Sequence, residues 1–275
     1  MTLLGAGLVI LGVAAMTIGA MLFVRRTAPA GSYFEDGDRA AGVFGVLSTG
    51  FAILLGFVVF LAFSSYDTAR SGAEAEAQIV SQQFQTAQLL PAAANKPLSG
   101  HLVCYARAVV YDEWPQLTSG SGAGLVNPWS VAMFRTLQTI EPLKASEQAA
   151  YGKWLDQQSE RQVGRSDRTH GADGVIPTPL WLVLFLLLAG IIFIFMLLFA
   201  DSAERAFVQA TMMGGVAIVI SSMLLLLWFL DNPYHSSAGG LRPVAMERTL
   251  EQLDLAARAI RLELAPPCDA QGSAS

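Results

Sequence analysis

The chain has 275 residues, of which 53% are hydrophobic and only 14% are charged, and its formal net charge at pH 7 is -5. Lys and Arg are not clustered, which argues against a nucleic-acid-binding face and a polybasic site for lipid headgroups. The apolar residues are concentrated at 1–24, 40–66, 174–200 and 206–230, in runs without charges. Each run reaches the ~20 residues that an α-helix needs to cross a bilayer. The sequence therefore predicts an all-α integral membrane protein with four transmembrane helices and a helical extramembrane cap.

These runs divide the chain into four parts. Residues 1–66 hold transmembrane helices 1 and 2, and residues 67–173 have the composition of a helical extramembrane domain. Residues 174–230 hold transmembrane helices 3 and 4, and residues 231–275 form a C-terminal amphipathic helix with a disordered tail. We expect the second and fourth parts to form the cap together.

Arginines in the short loops predict the orientation in the cell membrane. Arg25 and Arg26 follow the first apolar run, which therefore reads as an uncleaved helix rather than a signal peptide. Arg39 lies in the same loop, and Arg205 lies in the short loop between the third and fourth runs. Because short loops rich in Arg face the cytoplasm, we expect the cap and the C-terminus to be extracytoplasmic.

The second transmembrane helix is predicted to continue well beyond the bilayer. Between residues 67 and 90 the chain has no Pro and only one Gly, Gly72, and it is rich in Ala, Glu and Gln. These residues favour helix, and Pro91 ends the segment. We therefore predict one continuous helix from about Ala41 to Leu90.

Small residues mark one side of the membrane part of this helix. They are spaced three and four residues apart, as Gly45, Thr49, Ala52 and Gly56. Such a stripe lets helices approach closely in a bilayer. One interpretation is tight packing within the bundle, with aromatic residues facing lipid. The other is that copies of the helix line a pore in an oligomer.

In the pore interpretation, bulky aromatic side chains on the second helix set the narrowest point. Phe57 and Phe60 lie three residues apart, and hence near one another on the helix surface. They are the candidate constriction, which would gate by dewetting.

The cap is predicted to contain several amphipathic helices. One runs from residue 99 to the Trp-Pro pair at 114–115, and another from 146 to about 163, followed by a loose polar segment at 164–174. The last helix covers about 243–264, and the chain after Pro266 is predicted to be disordered.

Charged residues are absent from the four apolar runs and collect at the helix ends. The candidate helix-mouth charges are Asp67, Arg70 and Asp231, which interfacial solvation also explains. Proton relays and ion-coupled transporters place ionisable groups inside the membrane, so the sequence argues against secondary active transport. It leaves open a channel built from backbone, small polar and aromatic groups.

Two cysteines lie on the same side of the membrane, because an even number of predicted helices separates them. A disulfide between Cys104 and Cys268 would pin the tail to the cap if that side is oxidising. The alternative is a small buried hydrophobe and an unpaired tail thiol.

Catalytic and cofactor motifs are lacking. The three histidines are scattered, and no spacing of Cys, His and Asp predicts a metal site. Asp112 and Glu113 are adjacent and so do not share a helix face, and we interpret them as part of a helix end packed by Trp114. We expect no enzyme activity, no metal and no cofactor.

Several segments in order along the chain carry a family resemblance. They are AGVFG at 41–45, LLGFVVF at 54–60, YDTAR at 66–70, YARAVV at 105–110, EWP at 113–115, EP at 141–142, EQAAY at 147–151 and LDNPY at 230–234. With these segments the chain resembles the bestrophin-like family of bacterial membrane proteins.

This resemblance implies kinship with bestrophins, which are pentameric anion channels whose second helix lines the pore. The link rests on LGF at 55–57 and on the Tyr, Asp and Arg of 66–70. Bestrophins keep both termini and the large domain in the cytoplasm, against the orientation that the loop arginines predict. The sequence also has no counterpart of their calcium-binding acidic cluster.

Two functions follow as hypotheses. The first is a homo-oligomeric ion channel, for anions by analogy. The alternative is a non-conducting membrane scaffold or accessory subunit whose cap binds another envelope protein. The expected partners are the lipid bilayer, further copies of the chain and, in the alternative, a membrane or envelope protein, with no nucleic acid.

Overall fold

The computed structural model describes residues 3–29, 33–34, 36–120 and 126–274. They form two compact units. The membrane unit comprises the residues up to Ser65 together with Gly174–Asn232 and Ser236–Gly239. The polar unit comprises Tyr66–Asp173, Pro233–His235 and the residues from Gly240 onward.

Helices account for most of both units. In chain order they are α1 (Leu3–Thr27), α2 (Gly37–Ala87), α3 (Ala92–Ala108), a π-helical turn (Val109–Glu113), α4 (Trp114–Thr118), α5 (Pro128–Gln138), α6 (Ala145–His170), a short 3-10 turn (Gly171–Asp173), α7 (Thr178–Phe199), α8 (Ala206–Asp231) and α9 (Val244–Ala259). In the described ranges the only β-type pairing is an isolated bridge between Cys268 and Ala274. Among the described residues, four helices are long and apolar enough to cross a membrane: α1, α2, α7 and α8. The predicted all-α class with four transmembrane helices is confirmed.

Close helix packing holds the membrane unit together. A Cβ atom at Gly214 of α8 would lie 2.9 Å from Cδ1 of Ile18, so α1 and α8 approach as closely as a glycine allows. Phe44 of α2 meets Phe195 of α7, with the ring centroids 5.5 Å apart. These contacts depend on shape, because apolar burial by itself does not drive helix association in lipid.

Arg25, in the last turn of α1, joins this helix to the loop between α7 and α8. Its guanidinium donates to the carbonyl oxygens of Asp201 and Ser202, both at 3.1 Å, and to that of Glu204. The α7–α8 loop therefore lies beside the C-terminal end of α1. Both arginine-bearing loops accordingly belong to the same end of this unit.

α2 is a single helix of 51 residues, from Gly37 to Ala87. It begins four residues before the predicted start and gives way at Gln88–Leu90 to turns in which each N–H bonds the carbonyl three residues back. At 1.5 Å per residue the helix is about 75 Å long. The predicted unbroken helix is confirmed, because nothing in the sequence between the bilayer segment and Pro91 interrupts the backbone ladder.

The core of the polar unit is built from large side chains of several helices. Phe84 of α2, Leu98 and Leu102 of α3, Met133 of α5 and Trp154 of α6 are fully or almost fully buried. They belong to one continuous hydrophobic cluster, to which α9 adds Met246, Leu253 and Ala257.

Four predicted boundaries in the polar unit were wrong. The helix expected to run from residue 99 to the Trp-Pro pair at 114–115 begins at Ala92 and continues through a π-helical turn to Thr118. The helix expected to end near Val163 continues to His170. The predicted loose segment is mostly helical because Arg168 in it is fully buried. α9 ends at Ala259 rather than near 264, where Arg261 adopts a positive φ of 55°.

The chain after Pro266 makes specific contacts, in contrast to the predicted disorder. A disulfide joins Cys268 to Cys104 of α3. The Trp129 indole donates to the Gly272 carbonyl at 2.7 Å. Gly272 has a φ of 87°, and a Cβ there would lie 2.4 Å from the backbone nitrogen of Ala108. These contacts to residues far away in the sequence order a segment that is too polar and too short to order itself.

Candidate functional site

The small-residue stripe on α2 is open in this chain. Gly45, Thr49, Ala52 and Gly56 are all exposed, and no described residue lies within 4 Å of a Cβ built on either glycine. The buried residues of this half of α2 fall on another side of the helix, at Phe51, Leu55, Val58 and Ala62. The stripe is therefore not used for packing among the described helices of a single chain.

The two aromatic residues proposed as a constriction are also exposed. Phe57 is 59% and Phe60 is 64% exposed. Phe60 follows Gly56 by four residues and so continues the same side of the helix, whereas Phe57 lies at its border. Large apolar side chains and a stripe of small residues thus form one uncovered face of α2.

The helix-mouth charges have different roles. Asp67 is exposed, and Arg70 pairs with Glu74 at 3.2 Å with both side chains largely in solvent. Asp231 is buried and accepts the backbone N–H groups of Val175 and Ile176, at 2.7 and 2.9 Å. Asp67 and Arg70 are solvated charges, while Asp231 fixes the chain where it enters α7.

Sequence reasoning missed a buried charged cluster in the polar unit. Arg168 of α6 donates from Nε to Glu76 of α2 at 2.5 Å and from Nη2 to Glu113 at 2.7 Å. Arg165 holds both oxygens of Glu113 at 2.6 Å. Glu76 and Arg168 have no exposed side-chain surface, and Glu113 has 3%. Together with Arg165, whose side chain is 11% exposed, these groups form a network of three linked ion pairs.

Neutral donors complete the coordination of the two carboxylates. The Tyr105 hydroxyl donates to Glu76 at 2.5 Å, and Asn127 donates to Glu113 at 2.7 Å. The Tyr234 hydroxyl donates to the backbone carbonyl of Arg168. This satisfaction of lone pairs is what makes a buried ionic cluster tolerable.

A third arginine in the core has no carboxylate partner among the described residues. Arg161 donates to Gln83 Oε1 at 3.0 Å and to Ser130 Oγ at 3.1 Å. Its guanidinium also lies 4.5 Å from the centroid of the Tyr105 ring, in cation–π geometry. Neutral acceptors and an aromatic face thus stabilise this charge.

Ionic partners offset the effect of burial on the pKa values of Glu113 and Arg168. Burial would raise the pKa of the Glu113 carboxyl, but Arg168 and Arg165 outweigh it and hold the pKa below the ordinary value of 4.5. Burial would lower the pKa of Arg168, and the two carboxylates raise it instead. Because the folded pKa of Glu113 is depressed, the stability it contributes is present above the unfolded pKa and is lost as the pH falls through the folded one.

Two glycines bring α2 and α6 into backbone contact beside the cluster. A Cβ at Gly72 would lie 2.7 Å from the nitrogen of Arg168 and 2.8 Å from the carbonyl oxygen of Gly164. A Cβ at Gly164 would lie 2.9 Å from the nitrogen of Glu76. This crossing sets the distance at which Glu76 and Arg168 can pair.

The disulfide predicted as one of two alternatives is present between Cys104 and Cys268. Among the described residues, no group of three His, Cys, Asp or Glu side chains is placed to hold a metal ion.

Comparison with known proteins identifies the family. A family model described as a Bestrophin-like domain matches residues 11–239. The chain belongs to the Bestrophin-like family. No curated protein sequence is detectably similar to this Bestrophin-like chain.

Solved structures share the fold of this Bestrophin-like protein. One is a bacterial Bestrophin homolog from Klebsiella pneumoniae with a point mutation, with a TM-score of 0.65 and 16% identity, covering 93% of this chain and 98% of that chain. Another mutant of the homolog from that organism gives a TM-score of 0.67 with 16% identity and the same coverage. A mutant described as a membrane protein gives 0.67 and 16%, covering 90% of this chain and 97% of that chain. At this identity the likeness concerns the fold.

Proposed function

We propose that the protein is the subunit of a homo-oligomeric ion channel in which α2 lines the conducting pathway. The observation that carries this proposal is the uncovered face of α2, where a Cβ built at Gly45 or Gly56 would meet no described atom from another part of the chain within 4 Å. In an oligomer such a face lies against lipid, against another copy or along a central pathway, and the small residues favour one of the last two. Small side chains and the Thr49 hydroxyl would line the wide part of that pathway.

The narrowest point is set by the aromatic side chains at the end of the stripe. Phe57 and Phe60 are exposed in the single chain, and rings of such residues around an axis form a hydrophobic constriction that controls wetting. The selectivity for anions rests on kinship with bestrophins.

Shortening the side chain that forms the constriction is expected to raise the conductance. Phe60→Ala removes the ring, so the pathway widens and wets, and unitary current in planar bilayers increases over the parent. Phe193→Ala is the matched control, because Phe193 is a phenylalanine of the same exposure, 59%, on α7 rather than on α2. It is expected to conduct like the parent. Equal currents in the two variants would contradict the assignment of Phe60.

The second candidate is the non-conducting scaffold whose polar unit binds another envelope protein. The feature that favours it is an exposed apolar pair three residues apart on α5, Val131 and Phe134. In this case the parent and both variants are silent in bilayers.

We further propose that the polar unit is extracytoplasmic. Arg25 binds the α7–α8 loop, so the arginines of the two short loops lie at one end of the membrane unit. Short loops that are rich in arginine generally face the cytoplasm, which leaves the polar unit on the other side. The Cys104–Cys268 disulfide supports an oxidising location for the polar unit.

Thiol labelling of intact cells tests this orientation. Ser159→Cys places a thiol on the exposed surface of α6, and we expect a membrane-impermeant maleimide to label it without lysis. Ser202→Cys, in the α7–α8 loop, is expected to be labelled only after permeabilisation. The reverse pattern would place the polar unit in the cytoplasm, as in bestrophins.

A further inference from the structure

An apolar groove runs along the outside of the membrane unit between α1, α7 and α8. It has a volume of about 520 Å³ and opens toward the surroundings of the unit. The residues that define its course are Val13 of α1, Trp181, Leu188 and Ile192 of α7, and Ser221 and Trp228 of α8.

The length of the groove is close to the hydrocarbon thickness of one bilayer leaflet. Trp181 and Ile192 are eleven residues apart on α7, which is about 16 Å along the helix axis. The hydrocarbon core of a membrane is ~30 Å thick, so the groove extends from one surface to about its middle.

Its two tryptophans lie at the same end. Trp181 is three residues from the start of α7, and Trp228 is three residues from the end of α8. Indole side chains favour the membrane interface, where the N–H reaches polar atoms and the ring faces hydrocarbon. The tryptophan end of the groove is therefore at headgroup level.

The lining selects for hydrocarbon. None of the described residues that line it carries a charge, and the Ser221 hydroxyl is already bonded to the Ala217 carbonyl at 2.6 Å. A linear alkyl chain is narrow and wholly apolar, so it matches this lining along the whole length of the groove, and a second copy of the chain is the other occupant that the test below distinguishes.

We propose that this groove binds one acyl chain of a phospholipid, with the glycerol ester region beside Trp181 and Trp228. The occupant is a lipid of either headgroup charge, because no cationic side chain lines the groove. Trp181 stacks on Phe185 with centroids 5.8 Å apart, which holds one wall in place before the lipid binds. Such a lipid is a bound component of the protein, independent of whether the oligomer conducts.

The test uses a lipid that mass spectrometry recognises. The full chain is reconstituted in vesicles of phosphatidylcholine or phosphatidylglycerol with dibrominated acyl chains, extracted in mild detergent and examined by native mass spectrometry. We expect one brominated lipid to remain on each chain, with either headgroup. Leu188→Trp fills the groove and is expected to lose most of this lipid. Leu186→Trp, two residues away and outside the lining, is expected to keep it.

Several results would overturn the proposal. They are a parent without retained lipid, equal retention in the two Trp variants, and retention of phosphatidylglycerol alone, which would indicate a headgroup site. A smaller oligomer for Leu188→Trp with unchanged lipid would show instead that a second copy of the chain occupies the groove. Val13→Phe, which fills the opposite wall, repeats the test if Leu188→Trp does not fold.

Discussion

Replacing Arg168 with Met is expected to lower the free energy of unfolding by about 3–5 kcal/mol, the usual cost of removing one partner from a buried ionic cluster. Arg168 bonds both Glu76 and Glu113 and has no exposed side-chain surface. Methionine fills much of the volume but leaves two carboxylates close together in the core. Among the described residues Arg168 is the ionic partner of Glu76, so without it Glu76 would keep no described cation at hydrogen-bond distance.

The matched control is a surface arginine with one ionic partner. Arg70→Gln breaks the exposed pair with Glu74, and such pairs contribute at most about 1 kcal/mol. Thermal unfolding of the purified protein in one detergent, followed by Trp fluorescence, compares the two. A loss of this size in Arg168→Met corresponds to a fall in Tm on the order of 10 °C. Equal Tm values for the two variants would show that the cluster does not stabilise the polar unit.

Adding one methyl group at Gly72 is expected to be nearly as destabilising. The new Cβ would lie 2.6 Å from Cβ of Asp167 and within 2.8 Å of two backbone atoms of α6. Because backbone cannot rotate away, α2 and α6 must separate, and overpacking of this kind costs roughly 1–3 kcal/mol or more. The separation also lengthens the Glu76–Arg168 bonds.

Gly152→Ala on α6 is the control, because it is expected to raise the free energy of unfolding where Gly72→Ala lowers it. No described atom lies within 4 Å of a Cβ at Gly152, so the substitution adds only helix propensity, worth about 1 kcal/mol in favour of the folded state. The same thermal unfolding assay should therefore give a Tm below that of the parent for Gly72→Ala. The Tm of Gly152→Ala should equal or exceed that of the parent. A Gly72→Ala protein as stable as the parent would mean that the helices are not in contact there.

The membrane spans could be predicted because lipid imposes a simple rule on sequence. Residues 40–66 contain no charged side chain, and the Ala- and Gln-rich segment that follows has no helix breaker before Pro91. Length and composition were therefore enough to predict α2 as a continuous helix. The start at Gly37 lay beyond the apolar pattern, where Asp38 and Arg39 gave no signal of helix.

The charged cluster could not be predicted because its members come from distant parts of the chain. Glu113 was interpreted as part of a helix end, and nothing in the sequence singled out Glu76. A signal was present on α6, where Arg161, Arg165 and Arg168 recur at four- and three-residue spacing and so share one side of a helix. Recognising them as buried requires knowing that Glu76 and Glu113 face that side.

The order of the C-terminal tail could not be predicted for the same reason, because it depends on residues far away in the sequence. Nothing local to residues 266–274 predicts structure, since the order comes from Cys104 and Trp129. The cysteine pair was the one usable signal, and it left a free thiol open as the alternative.

Water access to the α2 stripe tests the channel proposal most directly. Both native cysteines are in the disulfide, so a single new thiol can be followed. Ala52→Cys lies on the stripe within the apolar segment, and Leu186→Cys lies on α7 with its side chain 64% exposed. A channel lined by α2 predicts that a charged methanethiosulfonate reagent modifies Ala52→Cys in vesicles and spares Leu186→Cys. An Ala52→Cys protein as unreactive as the Leu186→Cys control would contradict a water-filled pathway along α2.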